Sequence, residues 1–355
     1  MYKLKDFAQD ISVAIKDAQS SPFDRFVGLE HYDSGEPVIT RYTDKSLLSS
    51  SVKEFRKNDI LIARRNVYLK RAGIAFFDGL TSGDSIVLRI YDDCESRTGI
   101  SKQDAIRIIP FILNSNVFWA YANKHADGMN SKRISKEMLY DYEFDLPPLA
   151  EQKVLADKLW AAYRLKESYK KLLAATEEMV KSQFIEMFKG DFPKLSWGEC
   201  LTIINGKKYD DDYQESGTYP ICGSGGIMGY GERMLCPKDT VILGRKGNIN
   251  SPIYMETDYW IVDTAFCLDV DRTKLHPKYF YFWCKLFDFT RYNKQGVLPS
   301  LTKNDLLKIE MPIPPMELQT KFVDIIEQAD KSGYELRKSI EAIDKVIKSL
   351  VNVNL

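Results

Sequence analysis

The chain repeats itself, and that constrains its fold more than any other feature. Residues 144–152 read FDLPPLAEQ and residues 311–319 read MPIPPMELQ. Pro147 therefore matches Pro314, Pro148 matches Pro315 and Gln152 matches Gln319, each 167 positions apart. The same spacing pairs Ile134 with Leu301, Ser135 with Thr302, Lys136 with Lys303, Leu139 with Leu306 and Glu143 with Glu310. Upstream, KNDILIARR (57–65) lies against KDTVILGRK (238–246), and a spacing of 180 pairs Asp59 with Asp239 and Arg65 with Arg245. Loops of unequal length explain the drift. Matches recurring in one order along both halves imply an approximate duplication, and 355 residues hold two domains of ordinary size plus connecting helices.

Each Pro-Pro precedes a long amphipathic run. Proline fixes its own φ and biases the residue before it away from helix, so both pairs read as boundaries just ahead of a helix start. In the second run, Phe322, Ile326, Ala329, Leu336, Ile340, Ile343, Ile347 and Leu350 follow steps of four and three, with Gly333 interrupting. That is a heptad seam. The first run keeps the phase with Leu155, Leu159, Ala162, Tyr169, Leu173 and Val180, while Lys166, Thr176 and Gln183 are imperfect seam positions. Helices of this length, roughly 57 Å at 1.5 Å per residue, exceed what an ordinary domain covers, so each needs the other. The chain order of domain, helix, domain, helix makes an antiparallel pair the natural solution.

Fifty Lys and Arg balance fifty Asp and Glu, which excludes binding nucleic acid by bulk charge and leaves only regional binding. No stretch has the length and apolarity of a membrane span or the core of a signal peptide, so a cytoplasmic protein is expected. Six cysteines without a CxxC and three histidines suggest buried free thiols rather than a zinc site or disulfide frame. A GxxxxGK[ST] loop is absent, as is a methyltransferase Asn-Pro-Pro-Tyr or Asp-Pro-Pro-Tyr motif. Glu151 and Lys153 form a bare ExK at a helix start, where first-turn stabilisation explains the acid better than a nuclease metal does. No catalytic residue is expected. The aromatic runs 116–124 and 280–289 read as core helices, and Ser135 and Thr302 read as N-caps.

Taken together, the LPPLAEQ and IPPMELQ segments, PKDTVILGRKGN, TAFCLDV, HPKYFYFW and KQGVLPSLTKNDLLKIEMPIPP make the chain resemble the DNA specificity subunit of type I restriction-modification systems. The resemblance implies an α+β fold: two pseudo-repeated target-recognition domains separated by an antiparallel pair of long coiled-coil helices. The expected boundaries are 1–150 for the first recognition domain, 151–189 for the central helix, 190–316 for the second domain and 317–355 for the C-terminal helix. It further implies a non-catalytic subunit that binds double-stranded DNA, two methyltransferase (modification) subunits and a restriction/translocase subunit. S-adenosylmethionine, ATP and Mg would belong to those partners, with no cofactor in this chain. Alternatives are a target-recognition subunit of another restriction-modification type, or a coiled-coil scaffold without DNA binding.

DNA reading needs Arg or Lys for guanine edges, Asn or Gln for adenine, and further cations or amides for phosphates. Residues 61–73 supply Arg64, Arg65, Asn66, Lys70 and Arg71 with Tyr68 and no acid. In the second half Arg245, Lys246 and Asn248 follow the strand-like TVILG beside Gly247. The first half lacks the Gly-Arg-Lys-Gly form of the second. Lys207 and Lys208 are further candidates, near Asn205, Tyr209 and the acids Asp210, Asp211 and Asp212. The glycine-rich 222–231 reads as tight turns, with Tyr230 able to pack on a sugar or base. Lys132, Arg133, Gln295 and Ser300 are placed to approach the DNA backbone.

Overall fold

The computed structural model describes the chain except residues 12, 49, 50, 130, 211, 212, 294–297 and 355; Asp211, Asp212 and Gln295 thus lie outside the described residues. It divides into two compact units, Met1–Lys171 with Leu336–Leu355, and Leu172–Glu335.

In the first unit, two five-stranded sheets carry the domain. One of them contains β1 (Ile60–Ala63), β2 (Ala72–Ala75) and β3 (Ser85–Ile90), with β1 paired antiparallel to both. The run Ile60-Leu61-Ile62-Ala63 is uniformly apolar because the strand is buried on both faces. Ile60 and Ile62 face α1 (Lys102–Ile112) and α2 (Asn116–Lys124) in a core with Ile108, Phe111, Phe118 and Trp119. Leu61 and Ala63 alternate to the other side, against Val27, Tyr32 and Phe55. After this domain comes α3 (Leu149–Met187), 39 residues long.

The second unit repeats the plan with a four-stranded and a three-stranded sheet. Its strands include β4 (Leu201–Asn205), β5 (Tyr219–Gly223), β6 (Gly226–Gly231), β7 (Thr240–Gly244) and β8 (Ala265–Val270). Helix α4 (Pro277–Leu286) packs on the four-stranded sheet, and α5 (Met316–Asn354) has 39 residues. The expected N-caps hold: Ser135 Oγ accepts from Met138 N and Thr302 Oγ1 from Asp305 N. All six cysteines are free and buried.

The repeated Pro-Pro and Gln are explained by one device. Each glutamine is helical and sends its side-chain amide back to the first proline of its pair: Gln152 Nε2 donates to Pro147 O at 2.7 Å and Gln319 Nε2 to Pro314 O at 2.8 Å. The prolines set the entry angle, and the glutamine fastens it. Gln319 does more, donating to Lys274 O and accepting from His276 N, which ties α5 to the start of α4.

Both units contain pieces of both long helices. In the first, Leu155 and Leu159 share a core with Val351, and Ile347 and Leu350 pack against it. In the second, Val180 and Phe184 share a core with Phe322 and Val323, with Ile326 and Ala329 packed on them. The start of α3 thus meets the end of α5, and the end of α3 meets the start of α5, which is the order an antiparallel pair requires. The remaining seam residues Ala162, Tyr169, Leu173, Leu336, Ile340 and Ile343 are half-buried. Phe322 is enclosed by Phe184, Phe188 and Phe282 with ring centroids 5.0–5.5 Å away. Trp160 anchors α3 to the first domain, donating from Nε1 to Arg107 O and meeting Phe111 edge-on.

Two outcomes follow for the Gln319 corner. Gln319 is fully buried, so Gln319→Leu strands the His276 N–H and two carbonyls; at about 1–3 kcal/mol for each buried group left unpaired, it lowers stability by about 3 kcal/mol or more, read as a depressed unfolding midpoint. Burial and then the nearby Lys278 charge hold the His276 imidazole below its ordinary value. The unfolded chain therefore binds more protons as pH falls through about 6.5, and stability is lost in that direction. His276→Asn, which keeps an N-capping acceptor but does not titrate, should flatten the difference in melting temperature between pH 7.5 and 5.5.

Candidate nucleic-acid interface

The basic turn that follows β1 and the one that follows β7 hang from the same three backbone bonds. Arg64 N donates to Asp84 O at 3.0 Å, Ile134 N to Arg64 O at 3.0 Å and Asn66 N to Lys132 O at 2.7 Å. In the second unit Arg245 N donates to Thr264 O at 2.8 Å, Leu301 N to Arg245 O at 2.9 Å and Gly247 N to Pro299 O at 2.9 Å. Bridges between Arg65 and Arg133 and between Lys246 and Ser300 complete the match. The structural equivalence is thus Arg64 with Arg245 and Arg65 with Lys246, a spacing of 181. This corrects the expected pairing of Arg65 with Arg245 and of Asp59 with Asp239 by one residue. Asn58 and Asp239, both at positive φ, are the true counterparts.

The same equivalence places Asn66 (φ 54°) where Gly247 stands (φ 79°). Asparagine is among the few residues that enter the left-handed region readily, so Ala63-Arg64-Arg65-Asn66 builds the turn that Gly244-Arg245-Lys246-Gly247 builds. The first half departs from the glycine form in sequence but not in backbone. Gly244 is held to glycine by its own loop, since a Cβ there would stand 2.0 Å from Asn248 O.

Around the first turn, Arg64, Arg65, Lys132 and Arg133 come together. Arg65, Lys132 and Arg133 are exposed and Arg64 is half-buried. Arg65 donates from Nε to Ser131 Oγ at 2.8 Å, and Asp84 Oδ2 lies 3.8 Å from the Arg65 guanidinium and 3.6 Å from that of Arg133. At this exposure such pairs add little stability but orient both forks. Arg64 Nε and Asn66 Oδ1 are buried without a protein partner. Arg71 is spent on bracing: its guanidinium donates to Leu29 O at 3.0 Å and Arg65 O at 2.9 Å. Lys70 turns toward Asn116 Oδ1 at 3.4 Å, away from this group.

In the second unit, Lys246 and Asn248 are exposed, and the half-buried Arg245 has its guanidinium 5.9 Å from the Phe266 ring centroid. Lys207 and Lys208 leave β4 at the same end of the sheet, because Gly206 and Gly244 flank Ala265 on its two sides. By strand spacing that is on the order of 10 Å from Arg245. Lys207 is itself positioned, its carbonyl accepting from Trp260 Nε1 at 2.8 Å, with Tyr209 buried below. The 222–231 segment is the β5–β6 hairpin, as its glycines predicted. Tyr230 pairs with Pro220 at the base of that hairpin, away from the turn. It is the tip that reaches it: Ser224 N donates to Thr264 Oγ1 at 3.4 Å, and Ile227 and Met228 beside it are 57% and 54% exposed. Sequence reasoning passed over Asp84, Ser224, Ile227 and Met228, because their only signal is proximity to distant segments. Among the described residues, no group of three or more His, Cys, Asp or Glu is placed to hold a metal ion, and no helix is long and apolar enough to cross a membrane.

The turn geometry makes a sharp prediction. Gly244→Ala forces Asn248 O aside and lowers the thermal midpoint of the full chain, whereas Gly247→Asn, copying Asn66, leaves it nearly unchanged. Gly247→Val, with a β-branched side chain at positive φ, should cost about 1–2 kcal/mol.

Residues 190–344 match the family model described as the type I restriction modification DNA specificity domain. Over 99% of its length the chain aligns with 94% of the type I restriction-modification system S subunit from M. genitalium, at a TM-score of 0.61 and 14% identity. A second solved structure, from work on complex assembly and conformational transition of the type I R-M system, aligns over 99% of this chain and 98% of that one, with a TM-score of 0.56 and 15% identity. No curated protein matches the chain. Residues 190–344 are thus similar to the type I restriction-modification DNA specificity domain, and the whole chain shares the fold of these S-subunit structures.

Proposed function

We propose that this chain gives a type I restriction-modification assembly its DNA target. Domain 1–150 reads one half of a bipartite double-stranded sequence, domain 190–316 reads the other, and helices 151–189 and 317–355 set the gap between them. The observation that carries this reading is the basic turn, held in both units by equivalent backbone bonds while presenting different side chains. Arg64, Arg65, Lys132 and Arg133 would face one half-site; Arg245, Lys246, Asn248, Lys207 and Lys208 would face the other. Arginine reads guanine through a two-pronged contact, and neighbouring lysines hold phosphates.

Chemistry belongs to partners in this reading. Two methyltransferase subunits carrying S-adenosylmethionine dock on the helices and domains, and an ATP- and Mg-dependent restriction subunit joins them in the cytoplasm. This chain contributes no catalytic group and no cofactor site.

Mapping methylated bases in the host genome should return a bipartite motif that disappears with this chain. Against that motif, Arg245→Ala should cost about 1–3 kcal/mol and relax preference at one position of one half-site, and Arg64→Ala should do the same in the other half. Uniform weakening on every sequence with a flatter salt dependence would make both arginines phosphate contacts instead.

A further inference from the structure

Lys166 occupies a seam position of α3, between Ala162 and Tyr169, where an aliphatic residue would pack best. It is only 3% exposed. Its ammonium reaches Glu36 Oε1 and Oε2 at 2.8 Å each and Asp344 Oδ1 at 2.8 Å, so its hydrogen-bonding capacity is taken up. One turn on, Lys170 bonds the same Glu36 at 3.2 Å and Glu167 at 2.9 Å. Burial lowers the Lys170 pKa, and the bonds to Glu167 and Glu36 outweigh that and raise it. Three separate segments meet here: the first domain at Glu36, α3 at Lys166 and α5 at Asp344. Glu36 does not sit on a loose loop. Gly35 N donates to Lys70 O at 2.8 Å and Pro37 O accepts from Ile74 N at 2.9 Å, fastening both its neighbours to the β1–β2 region.

Such a network is a poor source of stability, because withdrawing each charge from water costs several kcal/mol and apolar replacements are often as stable. Its contribution is geometric. Around Asp344 the seam of α5 is Ile340, Ile343 and Ile347, three identical side chains that pack nearly as well after a slip along the helix. A slip of one heptad would carry Asp344 about 10 Å from Lys166 and leave the buried ammonium, still bonded to Glu36, one acceptor short. At the spacing of 167 the counterpart of Lys166 is Gly333, so the second unit does not repeat the device.

We propose that Lys166 is a positioning residue that, with Glu36 and Asp344, fixes the register of α3 against α5 in the first unit and locks the first recognition domain to both. The phase at which that domain presents its half-site is then set by this cluster; this last step rests on the proposed function, while the register does not.

Spin labels on cysteines introduced at the exposed Ala161, Lys345 and Ser34 of the full chain report the two helices and the domain loop, read as pairwise distances by electron double resonance. The native background should give one narrow distance for each pair. The neutral triple variant Lys166→Met, Glu36→Gln, Asp344→Asn should remain folded by circular dichroism yet show a 161–345 distance that broadens, or gains a population displaced by about 10 Å. Asp344→Asn alone is the milder variant should the triple fail to fold: it should broaden 161–345 while 161–34, still held by Lys166 and Glu36, stays narrow. A folded variant with every distance unchanged overturns the proposal. Inside the assembly, the methylated motif of the triple variant should accept more than one gap length; a single native gap overturns the phase assignment. A native chain with no bipartite motif would instead refute the proposed function and leave the distance result standing.

Discussion

A helix of 39 residues with an apolar stripe cannot stand alone in water, and the rest of this molecule is arranged around that demand. Each unit covers part of the stripe with its own domain, through Trp160 in the first and the Tyr279–Phe282 face of α4 in the second. Where the helix ends meet, each helix covers the other's stripe, Val351 against Leu155 and Leu159 and Phe322 against Val180 and Phe184. Packing of this kind is additive along the seam but nearly blind to register, since one isoleucine is as good as the next. Two other devices supply what the seam lacks. The Pro-Pro and Gln lock fixes where each helix begins, and the Lys166 cluster fixes how the helices align within the first unit.

The domains obey a similar division. A strand buried on both faces, β1 or β7, ends in a turn whose backbone is held by a neighbouring strand end and by the segment before the Ser135 or Thr302 cap. Three equivalent backbone bonds hold each turn, so the side chains at 64 and 65 and at 245, 246 and 248 can change without moving it, while 66 and 247 must tolerate positive φ. That is the property a recognition surface needs: rigid support beneath and freedom of chemistry above.

Much of this was legible in the sequence. The duplication, the long helices, the two caps and the core helices all rest on local patterns, and local patterns survive folding, although the helix expected at 280–289 runs over Pro277–Leu286. The basic turns were legible as charge, but their exact equivalence was not. Matching by residue type favoured arginine against arginine at a spacing of 180, whereas the backbone bonds pair Arg64 with Arg245, and a left-handed Asn66 replaces a glycine. Lys70 and Arg71 looked like part of one basic run because the chain is linear; the fold turns one toward Asn116 and spends the other on carbonyls. Lys166 looked like a defect in the stripe. Its partners lie 130 and 178 residues away, beyond the reach of any periodicity.

What the two halves share and where they differ point the same way. In the proposed function, a duplicated reader with identical faces would recognise one half-site twice, so reading two unlike half-sites would require divergence in the side chains over an unchanged support. The differences fall there. Asp84, set between Arg65 and Arg133, is replaced in the second unit by Thr264, which instead receives the hairpin tip through Ser224. The first turn therefore presents two arginine forks steadied by an acid, and the second a lysine and an arginine beside a glycine-rich hairpin with exposed Ile227 and Met228. A carboxylate beside arginines disfavours a phosphate at that point and steers the forks toward neutral donors and acceptors such as base edges, whereas an apolar tip suits a base face or a methyl group. The asymmetry at Lys166 and Gly333 belongs to the same logic: the cluster that pins the first domain to the helices has no counterpart at Gly333.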